Sequence, residues 1–179
     1  MVETSQLQST IVKVAAPVAI IVAAFLFAWW RGLSRRDDLG LRAPPAREAV
    51  LWIALWVAWM LGSNAVMEWR GPWDFTPWAA TPLVIAVMRV AAVGVLGPIA
   101  EELLFRGYFF ARVQRTRVGT VGAVVLLAAV WAAIHTSYSW DVIALLFFNG
   151  ILLGVARHRT KSVIVPMIMH VVWNLFAVW

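Results

Sequence analysis

The chain has 179 residues, of which 63% are hydrophobic and only 13% are charged, and its mean hydropathy is +0.82. A soluble domain carries about 25% charged residues and could not bury this much apolar side chain without exposing large apolar patches. The composition therefore excludes an ordinary soluble protein. Since a membrane span needs about 20 apolar residues, we predict an all-α, polytopic transmembrane helix bundle with about six spans, in one domain covering residues 1–179.

The formal net charge of +6 would suggest a nucleic-acid partner in a soluble chain. Here the basic residues lie in short segments between apolar runs, so we expect no nucleic-acid binding and attribute the charge to orientation in the membrane. The chain contains no cysteine, which excludes disulfides and thiol chemistry.

Stretches without charge predict the spans. The first is not expected to be a cleaved signal peptide, because a basic amino-terminal region is missing and the WWRGLSRR that follows is typical of a stop-transfer signal. The predicted spans cover residues 14–30, 49–67, about 89–111, 118–140, 142–156 and 162–179.

The third span is the least regular. The apolar run over residues 82–110 is too long for a single crossing and contains Arg89. We therefore predict an interfacial piece over residues 75–88, followed by the true span from about Arg89 to Ala111. Gly97 and Pro98 are expected to kink or unwind that span one turn before its glutamates.

Lysine and arginine are distributed unequally between the two sides. The predicted opposite side carries Arg70 and, near the entrance of span one, Lys13. Loops one, three and five carry Arg31, Arg35, Arg36, Arg42, Arg47, Arg112, Arg115, Arg117, Arg157, Arg159 and Lys161. The positive-inside rule places these loops in the cytoplasm and both termini outside, and we expect the bacterial inner membrane.

Two further patterns concern the membrane and the packing. Gly150 and Gly154 form a GxxxG pair in span five, which favours close helix packing. Tryptophans near the predicted span ends suit the membrane interface. They are Trp29, Trp30, Trp69, Trp73, Trp78, Trp140 and Trp179.

Ionisable residues inside predicted spans are costly and therefore point to function. Three clusters occur: an EExxxR segment in span three, a histidine near the end of span four, and an HxxxN segment in span six. The residues are Glu101, Glu102, Arg106, His135, His170 and Asn174.

Helix geometry separates the two glutamates, because neighbours differ by about 100° around the axis. Glu102 and Arg106 are four residues apart and predict a structural ion pair. Glu101 has no local partner, so its carboxyl group must find one on another helix, hold a proton or contact water.

These groups have the chemistry for hydrolysing a peptide bond. A carboxylate such as Glu101 can act as a general base on water. An Asn amide and a His N–H can hold an oxyanion, and a second His can orient water or pass a proton. No serine or cysteine lies in the clusters, so no covalent acyl-enzyme is suggested. Taken singly, each cluster could equally be interhelical hydrogen bonding.

The three motifs in this order resemble those of the CAAX protease and bacteriocin-processing (CPBP, or Abi) family, intramembrane proteases related to the Ras-converting CAAX endopeptidase. They are EExxxR over residues 101–106, an aromatic-xxx-His from Trp131 to His135, and HxxxN over residues 170–174. The resemblance covers about residues 94–179. Trp131 departs from the family, where phenylalanine is commoner, but one aromatic residue in place of another puts little of the resemblance in doubt.

The resemblance implies an intramembrane endopeptidase in which Glu101 activates water. His135, His170 and Asn174 complete the centre, the last two supplying the oxyanion site, while Glu102 and Arg106 support the helix. We expect a metal-free, glutamate-type mechanism without a cofactor. The alternative is a zinc site made by Glu101, His135 and His170.

The resemblance also implies a peptide or protein substrate with a hydrophobic or lipidated tail, met within membrane lipid; the oligomeric state is left open. A non-hydrolytic scaffold or small transporter subunit remains the alternative, and it predicts a water-filled path to both sides. A lipid-handling enzyme would need acidic residues for Mg²⁺, for which only Asp37 and Asp38 form a pair. On the predicted limits His135 lies about 10 Å too far from Glu101 along the bundle, so some span boundary must differ.

Overall fold

The computed structural model describes residues 2–72, 74 and 76–178, with side chains from Ser5 onward. Within these ranges it contains helices and no strand, which confirms the all-α prediction. In chain order the helices are α1 (Val2–Trp30), α2 (Ala46–Met67), α3 (Thr76–Ala79), α4 (Leu83–Val113), α5 (Gly119–Ala133), α6 (Trp140–Thr160) and α7 (Ile164–Ala177).

Four of these helices, α1, α2, α4 and α6, are long and apolar enough to cross a membrane. The predicted fourth and sixth spans correspond to α5 and α7, which are apolar but shorter than the predicted limits. α5 ends at Ala133, where the backbone N–H of His135 donates to the carbonyl of Ala132, three residues back, and the His135 ring binds the carbonyl of Trp131. The chain is thus a polytopic helical membrane protein.

Helix α4 lies at the centre of the bundle, in contact with α1, α5, α6 and α7. It is continuous from Leu83, so the prediction of a break near Arg89 is wrong. The helix instead begins just after Pro82, whose fixed φ suits the start of a helix. Arg89 stays inside α4 with its guanidinium 5.4 Å from the centre of the Trp78 ring. Phe75, the predicted start of the interfacial piece, lies outside the described residues.

The prediction that Gly97 and Pro98 kink or unwind α4 is also wrong, because both residues stay within the helix. The helix instead widens into two π-helical segments, Val90–Leu96 and Leu103–Phe109, on either side of the glutamates. The N–H of Gly97 donates to Ala92, five residues back, and Pro98 has no N–H to donate. The carbonyl of Val93 therefore loses both possible helical donors, and it accepts a 2.9 Å hydrogen bond from Asn174 Nδ2 of α7 instead.

The close packing predicted from Gly150 and Gly154 is confirmed at the contact between α5 and α6. A β-carbon placed on Gly150 would lie 2.8 Å from Cβ of Ala128, and one on Gly154 would lie 3.2 Å from the side chain of Val124. The two helix backbones can approach only because these positions carry no side chain.

Loop one folds over the arginine-rich end of the bundle. Gly40 accepts a 2.9 Å hydrogen bond from the N–H of Val163, and Ser162 Oγ donates to the carbonyl of Arg42 at 2.6 Å. Gly40 has a φ of 73°, and the Arg157 guanidinium fills the space where a β-carbon would stand. Val163 is fully buried as a result, so α7 starts beneath the loop rather than at the surface.

The carboxylates of loop one are used for ion pairs. Asp37 lies 3.9 Å from Arg42, and Asp38 lies 3.1 Å from Arg115. Neither aspartate lines the cavity described below.

The predicted interfacial tryptophans divide into two groups. Trp29, Trp30 and Trp140 are 78%, 70% and 85% exposed at helix ends, as the membrane interface requires. Trp69 instead stacks on Trp173 of the core with ring centres 4.6 Å apart. Trp73 and Trp179 lie outside the described residues.

Candidate active site

A cavity of about 240 Å³ lies between the carboxyl-terminal ends of α2, α5 and α7 and reaches down to the middle of α4. Four residues singled out in the sequence line it together: Glu101, His135, His170 and Asn174. The three motifs, which are far apart in the chain, thus meet at one polar cavity.

Glu101 lies on the short α-helical turn between the two π segments of α4. Its Oε2 accepts a 2.6 Å hydrogen bond from the indole Nε1 of Trp131 on α5. Of the alternatives left open by the sequence, Glu101 thus has a partner on another helix, and this partner is Trp131. No protein partner for its other oxygen is recorded among the described residues.

Glu102 points away from the cavity and is completely buried. Its Oε1 accepts hydrogen bonds from Arg106 Nη1 at 2.8 Å and from His170 Nδ1 at 3.0 Å. Arg106 is equally buried and also donates to the carbonyl of Gly150 at 3.3 Å. The ion pair forms as the spacing predicts, and the link to His170 is an addition to it.

The hydrogen bonds of the two histidines assign their tautomers. Nδ1 of His170 faces the Glu102 carboxylate, and Nδ1 of His135 faces the backbone carbonyl of Trp131 at 2.7 Å. Both partner atoms accept, so each Nδ1 carries the proton. In the neutral ring Nε2 is then the unprotonated nitrogen, which can accept a proton or a hydrogen bond.

The structure also explains how His135 reaches Glu101. His135 lies beyond the end of α5, in the segment before α6, and not within a span. Loop one covers the start of α7, and this position determines how deep in the bundle His170 lies. The mismatch in depth came from the predicted ends of spans four and six.

Trp131 lies at the centre of this arrangement. Its ring edge meets His135 and His170, with ring centres 5.0 and 5.3 Å apart, and the Arg106 guanidinium lies 4.9 Å from its ring centre. Only 2% of the residue is exposed. A phenyl ring could make the ring contacts but could not donate to Glu101.

The sequence of this chain is similar to those of known proteins. A family model described as type II CAAX prenyl endopeptidase Rce1-like matches residues 82–176, just over half of the chain. The chain belongs to this Rce1-like family. The match covers α4 to α7, and all six site and supporting residues predicted from the sequence lie within it.

One curated relative of this Rce1-like chain is the UPF0177 protein YxdF of Lactococcus lactis subsp. lactis (strain IL1403). It is 32% identical over 84 residues, which are 47% of this chain and 45% of the relative. The alignment thus covers less than half the length of that relative. No solved structure matches the chain.

Asn149 and Arg70 also line the cavity, and the sequence analysis proposed neither of them as a site residue. Asn149 of α6 is 1% exposed and accepts a 2.7 Å hydrogen bond from Trp59 Nε1. Arg70, after α2, donates through Nε to the carbonyl of Phe176 at 2.7 Å and so ties α2 to the end of α7. Asn149 could have been found as an amide inside a span. Arg70 entered the sequence analysis only as one of two cations on the less basic side, which did not point to a site.

A zinc site was the alternative to a metal-free centre. Within the described part of the chain, no three His, Asp or Glu side chains are arranged so that they could hold a metal ion together. The expectation of a metal-free centre remains a prediction for experiment.

Proposed function

We propose that this protein is an intramembrane endopeptidase that hydrolyses a peptide bond in or near a membrane-associated segment. The observation that carries the proposal is the convergence of Glu101, His135, His170 and Asn174 on one cavity in a chain of the Rce1-like family. A carboxylate with one oxygen held by Trp131 can present its other oxygen to water in the cavity.

In the first step Glu101 removes a proton from water as the water oxygen attacks the carbonyl carbon of the scissile bond. His135, whose Nδ1–H is bound to a carbonyl, offers Nε2 to hold that water. The proton then passes to the amide nitrogen, the C–N bond breaks, and a carboxylic acid and an amine leave, which ionise to a carboxylate and an ammonium group. No covalent intermediate is required.

The oxyanion formed in this step needs hydrogen-bond donors. Asn174 uses one N–H on the Val93 carbonyl and keeps its second N–H for the cavity. His170 donates from Nε2 only in its protonated form, because its Nδ1–H is bound to Glu102. We therefore assign Asn174 as the neutral donor and His170 as the charged one.

The shape of the cavity supports a hydrolase over the transporter subunit. No described residue of the arginine-rich segments 31–45, 112–118 and 157–163 lines it. Glu102 and Arg106, which are buried, do not line it either. A transporter would need a water path that continues to the other side.

The charge distribution supports a proposal for the side from which substrate enters. Of the residues that line the cavity, Arg70, Tyr138 and Ala177 lie at the ends of α2, α5 and α7 opposite the basic loops, and we place the mouth there. With those loops in the cytoplasm, both termini and the mouth face outside. We propose the bacterial inner membrane as the location, and as substrates exported proteins with a hydrophobic or lipidated tail, approached through membrane lipid.

The proposal is tested by comparing protein termini in membranes of the native host by mass spectrometry. The strains carry the wild-type protein, Glu101→Gln, or the exposed control Glu48→Gln, at matched expression. We expect one or a few termini next to hydrophobic segments that are present in wild type and control and absent with Glu101→Gln. Identical termini in all three strains, with folded protein, would contradict the proposal.

A further inference from the structure

We infer that Trp131 is a positioning residue for Glu101, acting through its indole N–H. The inference rests on the proposed role of Glu101 as the base. It adds a residue that acts on the reacting water only through that carboxylate.

The geometry fixes the direction of the interaction. An indole N–H can only donate, and at 2.6 Å it meets a carboxylate oxygen, which accepts. A hydrogen bond to an ionised acceptor is short and strong. The bond to Oε2 fixes the orientation of the carboxylate, and Oε1 then faces the cavity as the oxygen we assign to bind water.

The tryptophan itself is held on several sides. Its backbone carbonyl accepts from His135, and its ring contacts Arg106 and the edge of His170. At 2% exposure the ring has no room to turn. Trp131 therefore transmits the position of the rigid α5 to a glutamate side chain that would otherwise have free torsions at the cavity wall.

This arrangement matters for catalysis because a displaced base loses its alignment with the attacking water. A misplacement of about 1 Å can cost about 100-fold in rate. The sequence analysis treated Trp131 only as an aromatic departure from the family motif and did not foresee this bond. The N–H, rather than the aromatic ring, is what phenylalanine lacks.

A purely structural role would make Trp131 a core residue and nothing more, so the test must separate the N–H from the ring. Trp131→Phe removes both the second ring and the donor. Site-specific replacement by benzothienylalanine keeps the fused ring and exchanges the N–H for sulfur. Trp59→Phe is the matched control, since it removes an indole hydrogen bond of 2.7 Å that goes to Asn149 rather than to Glu101.

The kinetic readout uses purified protein and a synthetic peptide spanning a Glu101-dependent cleavage site. With the benzothienyl variant and Trp131→Phe we expect kcat to fall about tenfold or more while KM stays within about twofold, because the base is misplaced and binding is not. Trp59→Phe should keep kcat within about twofold of wild type. Wild-type kcat in the benzothienyl variant would overturn the inference.

A spectroscopic measurement tests the hydrogen bond between Trp131 and Glu101 independently of activity. In protein labelled with nitrogen-15 tryptophan, the indole signal lost in Trp131→Phe belongs to Trp131. We expect that signal to move in Glu101→Ala and to stay in Glu48→Ala. An unmoved signal overturns the inference even if the protein is a protease, whereas a moved signal with no cleavage in wild type defeats the proposed function and leaves the hydrogen bond in place.

Discussion

Glu101 and Glu102 are adjacent in the chain, yet their carboxylates belong to separate hydrogen-bond networks. Glu101 lines the cavity and accepts from Trp131, whereas Glu102 is completely buried and accepts from Arg106 and His170. The rotation of about 100° between neighbours on a helix produces this division. One carboxylate is thus free to meet water while the other holds a histidine in place.

The two glutamates should therefore contribute differently to the free energy of unfolding. Glu102→Gln leaves the Arg106 guanidinium without a counter-charge in the interior, and we expect a loss of about 3–5 kcal/mol in the free energy of unfolding. Glu101→Gln keeps an amide oxygen that can accept from Trp131, so its loss should stay below about 1 kcal/mol. Unfolding in detergent, followed by circular dichroism, measures both. Equal losses would contradict the division.

The helical class and the membrane character could be predicted from composition and spacing, which depend only on local physics. That the three polar clusters meet in one site was expected from the family resemblance alone, against the depths that the predicted span limits gave. The ends of α5 and α7 could not be predicted, since they depend on loop one covering Val163 and on the bond between the His135 ring and the carbonyl of Trp131. The π segments of α4 were missed for a related reason. A carbonyl without a helical donor is tolerated only where another helix brings one, and Asn174 is 81 residues away from Val93.

The hydrogen bond from His170 to Glu102 and the donor role of Trp131 could not be predicted from the sequence for the same reason. Each depends on which faces of α4, α5 and α7 meet. A spacing rule that predicts the pair of Glu102 and Arg106 within one helix says nothing about a third residue on another.

Gly150 gives a test of the packing between α5 and α6. In Gly150→Ala the new methyl would lie 2.9 Å from the backbone of Ala128, so the helices must separate. We expect a loss of about 1–3 kcal/mol in unfolding free energy. Gly62→Ala in α2 is the control, since its new methyl meets nothing within 4 Å. The packing account is wrong if both variants are equally stable.

The bond between Asn174 and Val93 predicts coupling to Pro98. Asn174→Ala leaves the Val93 carbonyl without a donor, whereas in Pro98→Ala a new backbone N–H becomes available one turn later. The cost of Asn174→Ala should therefore be smaller, by about 0.5–1.5 kcal/mol, in the Pro98→Ala background. A double-mutant cycle of unfolding free energies measures this difference. Strictly additive effects would show that Pro98 does not govern the bond.

Metal independence is a separate prediction. If the donors are Asn174 and protonated His170, cleavage of the Glu101-dependent peptide should survive prolonged dialysis against EDTA and 1,10-phenanthroline with kcat within about twofold. The matched measurement adds zinc back after dialysis. Loss of activity on chelation that zinc restores would establish the zinc alternative.

The orientation can be tested directly because the chain has no cysteine. Ser137→Cys lies in the exposed segment between α5 and α6, and Arg117→Cys lies in the basic loop before α5. In intact cells a membrane-impermeant maleimide should label Ser137→Cys, and it should label Arg117→Cys only after the membrane is opened. The reverse pattern would place the mouth of the cavity in the cytoplasm.

The central claim is that Glu101 activates the water that cleaves a peptide bond. Its most direct test is the rate at which purified protein in lipid vesicles cleaves a peptide spanning a Glu101-dependent site, for wild type and Glu101→Gln. We predict that the wild type cleaves it and that kcat for Glu101→Gln is lower by about 10³-fold or more, with the unfolding free energy nearly unchanged. Equal cleavage by both proteins would contradict the claim and assign the reaction to a different group.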